Sequence, residues 1–242
     1  MNCLALDTSS SSCSIALKIG NDIHHLIDTG PTVHAQRLLA MIDELLSMSD
    51  KTLKDIDLLV CGIGPGSFTG LRIGVGTAQG LAYSTGVKVL PLNSLLAYLS
   101  NDLESGSYGV GCDARMGQMY NAGFRIAEDG KIFETIETVV CNPEDVNELF
   151  GTHHVLVGSG WDVYREALPS AIRDKVNADT VDLNSNKTIE PTVDDLSVLP
   201  NSRYLLHWAS MQLADGTSPV DAEQVVPFYV RNNVAERPKS KT

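Results

Sequence analysis

The chain lacks the signatures of several large classes of protein. None of its five cysteines, Cys3, Cys13, Cys61, Cys112 and Cys141, forms a CxxC pair, and their number is odd. Four of them sit in apolar, strand-like runs. They read as reduced core residues of a cytosolic protein rather than as a disulfide frame or a metal site. No secretory apolar segment opens the chain, because Met1–Leu6 runs straight into a strand and an acidic residue. No apolar run approaches the roughly 20 residues that span a bilayer, so a soluble, cytoplasmic protein is expected. Positive charge is scarce: 18 Lys and Arg against 30 Asp and Glu leave a formal net charge of −12. A surface of that sign does not displace counterions from a phosphate backbone unaided, which argues against independent nucleic-acid binding.

Catalytic motifs are missing as well. There is no HExxH, so a zinc peptidase of that kind is excluded on motif grounds. His24-His25 falls in a strand with its two rings on opposite faces, and His153-His154 is again adjacent rather than at i, i+4, so neither chelates well. No GxSxG elbow occurs, and Ser67 has no evident base beside it. Gly64-Pro65-Gly66 is not followed by Gly-Lys-Ser/Thr, and the glycine-rich segment does not carry the GxGxxG spacing of a dinucleotide fold.

What the chain does have is glycine in an unexpected place. Residues 62–82 contain seven glycines in a stretch that should open a helix. Gly74, Gly76 and Gly80 fall in the helix interior, where each costs about 0.5–1 kcal/mol relative to alanine, roughly 2–3 kcal/mol together. Two arrangements would offset that. Gly64, Pro65 and Gly66 could turn backbone N–H groups toward an anion at the helix start. Alternatively, the small residues admit a close neighbour. On a helical wheel Gly70, Gly74, Ala78 and Ala82 form one i, i+4 ridge and Gly76, Gly80 and Ser84 another. One ridge would serve the chain's own sheet and the other a partner helix.

The remaining pattern is α/β. Cys3–Leu6, Cys13–Ile19 and Ile23–Ile27 read as strands, with a hairpin turn at Gly20-Asn21-Asp22. His34–Met48 is helical in period, Ile56–Cys61 and Val87–Leu92 are strands, and Ser94–Leu103 is a helix. The pattern then restarts. Tyr108–Cys112 ends at Asp113 as Cys3–Leu6 ends at Asp7, an alternating strand Met119–Ile126 follows, and His154–Gly158 echoes Leu58–Gly62. Two echoes in the same order point to a duplicated unit of three antiparallel strands followed by alternating helices and strands. Residues 1–104 are read as the N-terminal domain and 105–220 as the C-terminal domain, with an acidic, irregular excursion at 174–199. In the tail, 221–242, Val225–Val230 packs back on the body and Arg237–Thr242 is expected to be disordered. Ser202–Leu213 is a helix.

An acidic residue that closes a buried strand and leads into a Thr/Ser turn, as in Asp7-Thr8-Ser9, is the geometry by which actin-like ATPases meet phosphate and magnesium. Asp113-Ala114-Arg115 is the matching turn of the second repeat, and Gly158-Ser159-Gly160 would lie beside an adenosine. Asp7, Thr8, Ser9, Gly64, Gly66, Asp113, Gly158 and Gly160 are therefore the candidates for a vestigial nucleotide cleft. Ser9 stands where the Asp-x-Gly-Thr pattern has the glycine that admits phosphate to the backbone.

These residues resemble a known family. Leu4-Ala-Leu-Asp7-Thr-Ser9, Cys13-Ser-Ile-Ala-Leu17, His34-Ala-Gln-Arg-Leu-Leu39, Ile42-Asp-Glu-Leu45 and Gly64-Pro-Gly-Ser-Phe-Thr-Gly-Leu-Arg-Ile73 are similar to the TsaB (YeaZ) proteins. Asp113-Ala-Arg-Met-Gly117, Tyr120, Gly158-Ser-Gly160 and Pro227-Phe-Tyr-Val-Arg231 extend the likeness over nearly the whole chain. The resemblance implies an actin-like (RNase H-like) duplicated fold of two domains, each with a mixed five-stranded sheet and helices. It implies a role in making threonylcarbamoyladenosine, the modified base beside the anticodon of tRNAs that read codons starting with A. The transferase of that pathway, TsaD, carries a metal-binding HxxxH after the strand that follows its glycine-rich helix. Leu92–Ala97 here contains no histidine.

The implied role is thus a non-catalytic subunit with no metal. It would have no cofactor of its own, though the resemblance leaves room for ATP or ADP at a partner interface. The implied partners are TsaD, the ATPase TsaE and a second copy of the chain, with tRNA reached only through the complex. The expected interface comprises His34, Arg37, Leu38, Met41, Leu45, Thr69, Arg72, Ile73, Gly74, Gly76, Thr77 and Gly80. The competing reading is an autonomous actin-like ATPase or small-molecule kinase centred on Asp7, Thr8 and Asp113.

Overall fold

The structure is a computed structural model that describes residues 1–29, 33–182 and 199–231. β1 (Cys3–Asp7) is buried at every position, as expected of a central strand covered on both faces. β2 (Cys13–Ile19) and β3 (Asp22–Asp28) fold back beside it as an antiparallel pair across the Gly20-Asn21 turn. Two crossovers through α1 (Val33–Met48) and α2 (Phe68–Thr85) then lay β4 (Leu58–Gly62) and β5 (Lys88–Leu92) parallel to β1. The resulting order is β3-β2-β1-β4-β5. α2 starts at Ser67, whose Oγ accepts from Gly70 N at 3.3 Å, and ends at Gly86 in the left-handed region.

The second half repeats the plan. β6 (Gly106–Asp113), β7 (Met119–Ile126) and β8 (Ile132–Cys141) form the antiparallel triple, and β9 (His154–Val157) runs parallel to β6, giving β8-β7-β6-β9. Among the described residues this sheet has four strands, where five were expected. After β9 the chain turns through Gly158 into short helices, α3 (Phe150–His153) preceding it and α4 (Gly160–Val163) following, and then α5 (Ser170–Asp182). α5 also corrects the irregular excursion expected from Asp174: Ile172 and Val176, one turn apart, anchor a helix there. The rest of that excursion, 183–198, and the tail end 232–242 lie outside the described residues. Ser94–Leu103 forms only a 3-10 segment, Ser94–Tyr98, whose first amide at Leu95 is capped by Asn93 Oδ1 at 2.9 Å.

Three apolar layers hold the sheets. Leu4, Leu6, Ile15 and Leu17 pack under α1 and α2. Phe150, Trp161 and Ile172 cover the outer face of the second sheet. Between the sheets lies a shared core that includes Ala5, Val60 and Leu96 from the first half and Val110 and Phe124 from the second. α6 (Ser202–Ala214) fills this layer with Leu205, Leu206 and Trp208. The helix was assigned to the C-terminal domain on sequence order, yet it packs on β1 and β2 of the first sheet. Ser202 Oγ donates to Ser14 O at 2.7 Å while Ser202 N donates to Ser14 Oγ at 2.8 Å, and both serines are buried.

Candidate functional site

Two surfaces gather the expected site residues: the cleft between the two halves, and the outer face of α1 and α2. The cleft is a cavity of about 800 Å³. Its floor and walls include Ser9, Gly66 and Ser67 from the first half and Asp113, Tyr120 and Ser159 from the second. The two turns at the ends of β1 and β6 therefore do converge, as the duplication requires. Tyr120 crosses the cleft and donates from its hydroxyl to Gly66 O at 3.2 Å.

The groups that would meet a phosphate are turned away from that space. Asp7 and Thr8 are buried and do not line the cavity. Asp7 Oδ1 accepts from Ser9 N at 2.9 Å and from Ser9 Oγ at 2.7 Å, so the serine that replaces glycine holds the carboxylate behind the turn. A Cβ on Gly62 would come within 1.9 Å of Asp7 Oδ2, which explains the glycine at the end of β4. The start of α2 is pressed onto the same turn. A Cβ at Gly66 would lie 2.2 Å from Ser9 O, one at Gly70 2.0 Å from Thr8 O, and one at Gly74 2.3 Å from Thr8 Oγ1. Ser67 N donates to Ser9 O at 2.6 Å, and Thr8 Oγ1 to Gly70 O at 2.7 Å. The Gly70, Gly74, Ala78, Ala82 ridge is thus occupied by the protein's own β1–β2 turn and sheet.

The second half is similarly engaged. Asp113 Oδ1 accepts from Tyr164 Oη at 2.6 Å and from Arg115 N at 2.8 Å, and Oδ2 pairs with Arg115 at 3.3 Å. Partial burial and then the Asp113 carboxylate push the Tyr164 phenol up to about 12. Gly158 and Gly160 do not line the cavity; a Cβ at either would meet the backbone of Gly111 or Cys112 within 2.8 Å. Gly64 likewise faces the tail, where a Cβ would be 2.5 Å from Phe228 O. Of the eight cleft candidates, Ser9, Gly66 and Asp113 reach the cavity. No group of three or more potential metal ligands occurs among the described residues.

The tail completes the cleft, which the sequence reading did not anticipate. Phe228 N donates to Ile63 O at 2.7 Å, Tyr229 stacks at 5.5 Å on Phe68, and Arg72 donates to the Tyr229 hydroxyl at 3.2 Å. Arg231 crosses to the other half, donating to Ala114 O at 3.2 Å and to Gln118 Oε1 at 2.8 Å. The signal in the sequence was the aromatic pair Phe228-Tyr229 within the apolar run Val225–Val230, followed by the cation Arg231.

The outer face of α1 and α2 divides the remaining candidates. Leu38, Met41 and Leu45 are buried in the core under these helices, and Gly74 is buried against Thr8, so these four do not belong to a docking surface. The reason is that Leu38, Met41, Ile42, Leu45 and Leu46, at i, i+3, i+4, i+7 and i+8, form the one buried apolar face of α1, and it covers the sheet. Leu39 and Met48, on opposite flanks of that face, are each 60% exposed and are not among the candidates. On α2, Thr69, Arg72, Gly76 and Gly80 are exposed, with Ile73 and Thr77 half-buried. Among the described residues, a Cβ at Gly76 or Gly80 would meet nothing within 4 Å. Tyr83, one turn beyond Gly80, is 86% exposed. Arg37 pairs with Asp28 at 3.0 Å. His34 lies in the first turn of α1, but its side chain is outside the described residues.

Known proteins resemble this chain over nearly its whole length. Residues 31–239 match the family model of TsaD, tRNA N6-adenosine threonylcarbamoyltransferase. The tRNA threonylcarbamoyladenosine biosynthesis protein TsaB of Haemophilus influenzae is 33% identical, covering 96% of this chain and 94% of that protein. The TsaB of Escherichia coli K12 is 34% identical, covering 97% and 96%. Among solved structures, YeaZ from Pseudomonas aeruginosa superposes with a TM-score of 0.74 at 30% identity, covering 94% of this chain and 99% of that one.

Proposed function

The chain belongs to the TsaB (YeaZ) family of tRNA threonylcarbamoyladenosine biosynthesis proteins, and on that premise we propose that it is a scaffold and activator subunit without catalytic machinery of its own. Its partner in this reading is a TsaD-type transferase, joined by a TsaE-type ATPase. The free chain pairs with a second copy through the same surface, and tRNA is contacted through the complex in the cytoplasm. The observation that carries the reading is the open ridge of α2. Gly76 and Gly80 weaken the helix by about 1 kcal/mol each relative to alanine, yet among the described residues nothing lies within 4 Å of where their Cβ would be. A partner helix seated there would offset that cost through close packing. Exposed Tyr83, one turn beyond Gly80 on the same helix, supplies apolar contact beside the ridge. The net charge of −12 suits a subunit that leaves phosphate contacts to others.

The test is a reconstituted mixture of this chain with TsaD, TsaE, tRNA and ATP. Gly76→Glu and Gly80→Glu each place a long charged side chain on the open ridge. Association with TsaD should weaken by at least tenfold, roughly 1.4 kcal/mol, and tRNA modification should fall with it. Melting of the free variant should remain at the wild-type temperature or above. Unchanged association would remove the interface from consideration. The autonomous ATPase reading draws on the cavity alone; it would prevail if the isolated chain hydrolysed ATP and Asp7→Asn abolished that turnover.

A further inference from the structure

A second pocket, of about 420 Å³, opens between the first sheet and α6. Its lining draws on three elements: Lys18 and Ile23 from the β2–β3 hairpin, Asn101 and Asp102 from the turn after the 3-10 segment, and Arg203, Leu206, His207 and Ser210 from α6. The α6 residues sit at i, i+3, i+4 and i+7, one face of a helix. Lys18 lies two residues from Ala16 on β2, so its side chain leaves the same sheet face as a core residue. It is opposite Cys3, at the start of β1, whereas the far end of that strand, at Asp7, leads into the turn whose Ser9 lines the cleft. The pocket is therefore separate from the interdomain cleft.

Its charge is the reverse of the molecule's. Lys18 and Arg203 are both half-buried, and neither takes part in an ion pair recorded among the described residues. Arg203 Nε is buried with no hydrogen-bond partner, and its Nη2 makes only a long 3.4 Å bond to Tyr204 Oη. The single lining carboxylate, Asp102, accepts from Ser100 Oγ at 3.4 Å and from Asn101 Nδ2 at 3.2 Å. Burial lowers the proton affinity of His207, with Asp102 raising it and Lys18 lowering it further. Two cations, an imidazole and one acid thus line one pocket, in a chain of net charge −12. Partly desolvated cations lacking a counter-charge are costly unless an anion joins them.

We infer that this pocket binds a small phosphate-bearing ligand, with Arg203 and Lys18 as the charged donors and His207 as a third. A guanidinium fork matches two phosphate oxygens at once, and the lysine adds a point charge. The volume accommodates a ligand of mononucleotide size, and apolar, exposed Ile23 offers a surface for its organic part.

Calorimetric titration of the full chain with inorganic phosphate and with AMP tests this directly. One site per chain is expected, for which phosphate and AMP compete. Arg203→Gln and Lys18→Gln should each weaken binding about tenfold, the loss of one charge-assisted hydrogen bond. Asp102→Asn should tighten it several-fold, an outcome that misfolding cannot imitate. Absence of saturable binding would overturn the assignment, as would binding that none of the three substitutions alters. An RNA oligonucleotide forms a separate arm; binding of RNA with no binding of phosphate or AMP would also overturn it. None of these outcomes depends on TsaD, so the pocket and the docking role stand or fall separately.

Discussion

At Gly70 a methyl group would lie 2.0 Å from the Thr8 carbonyl oxygen, whereas at Gly80, ten residues along the same helix, it would meet nothing within 4 Å among the described residues. The same residue type therefore does opposite work in one element. Gly70→Ala should destabilise the free chain by about 1–3 kcal/mol, since backbone cannot yield as a flexible side chain can. Gly80→Ala should stabilise it by about 0.5–1 kcal/mol, because an exposed helical glycine is replaced by a better helix former. Paired thermal melts measure both, and equal shifts would show that the two ridges are not distinct. Ser9 makes the related point for polar residues. Its two bonds to Asp7 Oδ1 turn a phosphate-binding pattern into a closed turn.

Among the elements, the tail is the least conspicuous in sequence and the most consequential for the cleft. Val220 bridges to Val89 on the edge of β5, Gln79 Nε2 donates to Val225 O at 2.8 Å, and Val225 is fully buried. From there the chain crosses the α2 N-terminus to Arg231, which reaches the second half. Val225→Asp places an unpaired charge in that core and should cost more than about 3 kcal/mol. Val226→Asp, at a position 60% exposed, should be nearly neutral. Limited proteolysis separates them: the first variant should lose its tail quickly, the second no faster than wild type. β8 was a different kind of omission. Its exposed Phe133, Glu134, Thr135 and Glu137 mask the alternation that a half-buried edge strand should show.

For the whole molecule, stability is expected to depend on pH through buried thiols. Burial holds Cys13 and Cys112 up to about 12, against an ordinary value of 9.0, and raises Cys61 further. Above pH 9 the unfolded chain releases these protons while the folded chain keeps them. The unfolded state then binds fewer protons, so stability falls as pH rises toward 12, by at most about 1.4 kcal/mol per pH unit for each thiol. Denaturant melts from pH 8 upward should follow that decline, and Cys13→Ala should flatten it; a pH-independent midpoint would rule it out. Both sheets should be lost in one transition, since Trp208 and its neighbours on α6 belong to a core made by both halves.

How far the sequence reaches depends on the range of the interaction. Apolar runs, turn residues and the repeated strand–Asp–turn pattern were sufficient for the α/β class and the repeated unit, because period and turn chemistry are local, while the order of strands within each sheet came from the fold. The family likeness rested on the same short stretches, above all Gly64–Ile73. Three-dimensional proximity decided the rest. Only the folded chain shows that Gly70 and Gly74 face Thr8 while Gly76 and Gly80 face outward, that Leu38, Met41 and Leu45 are core while Leu39 and Met48 are surface, and that α6 belongs between the sheets. A helical wheel can separate two faces, but the side on which the sheet lies is set by contacts dozens of residues away in the chain.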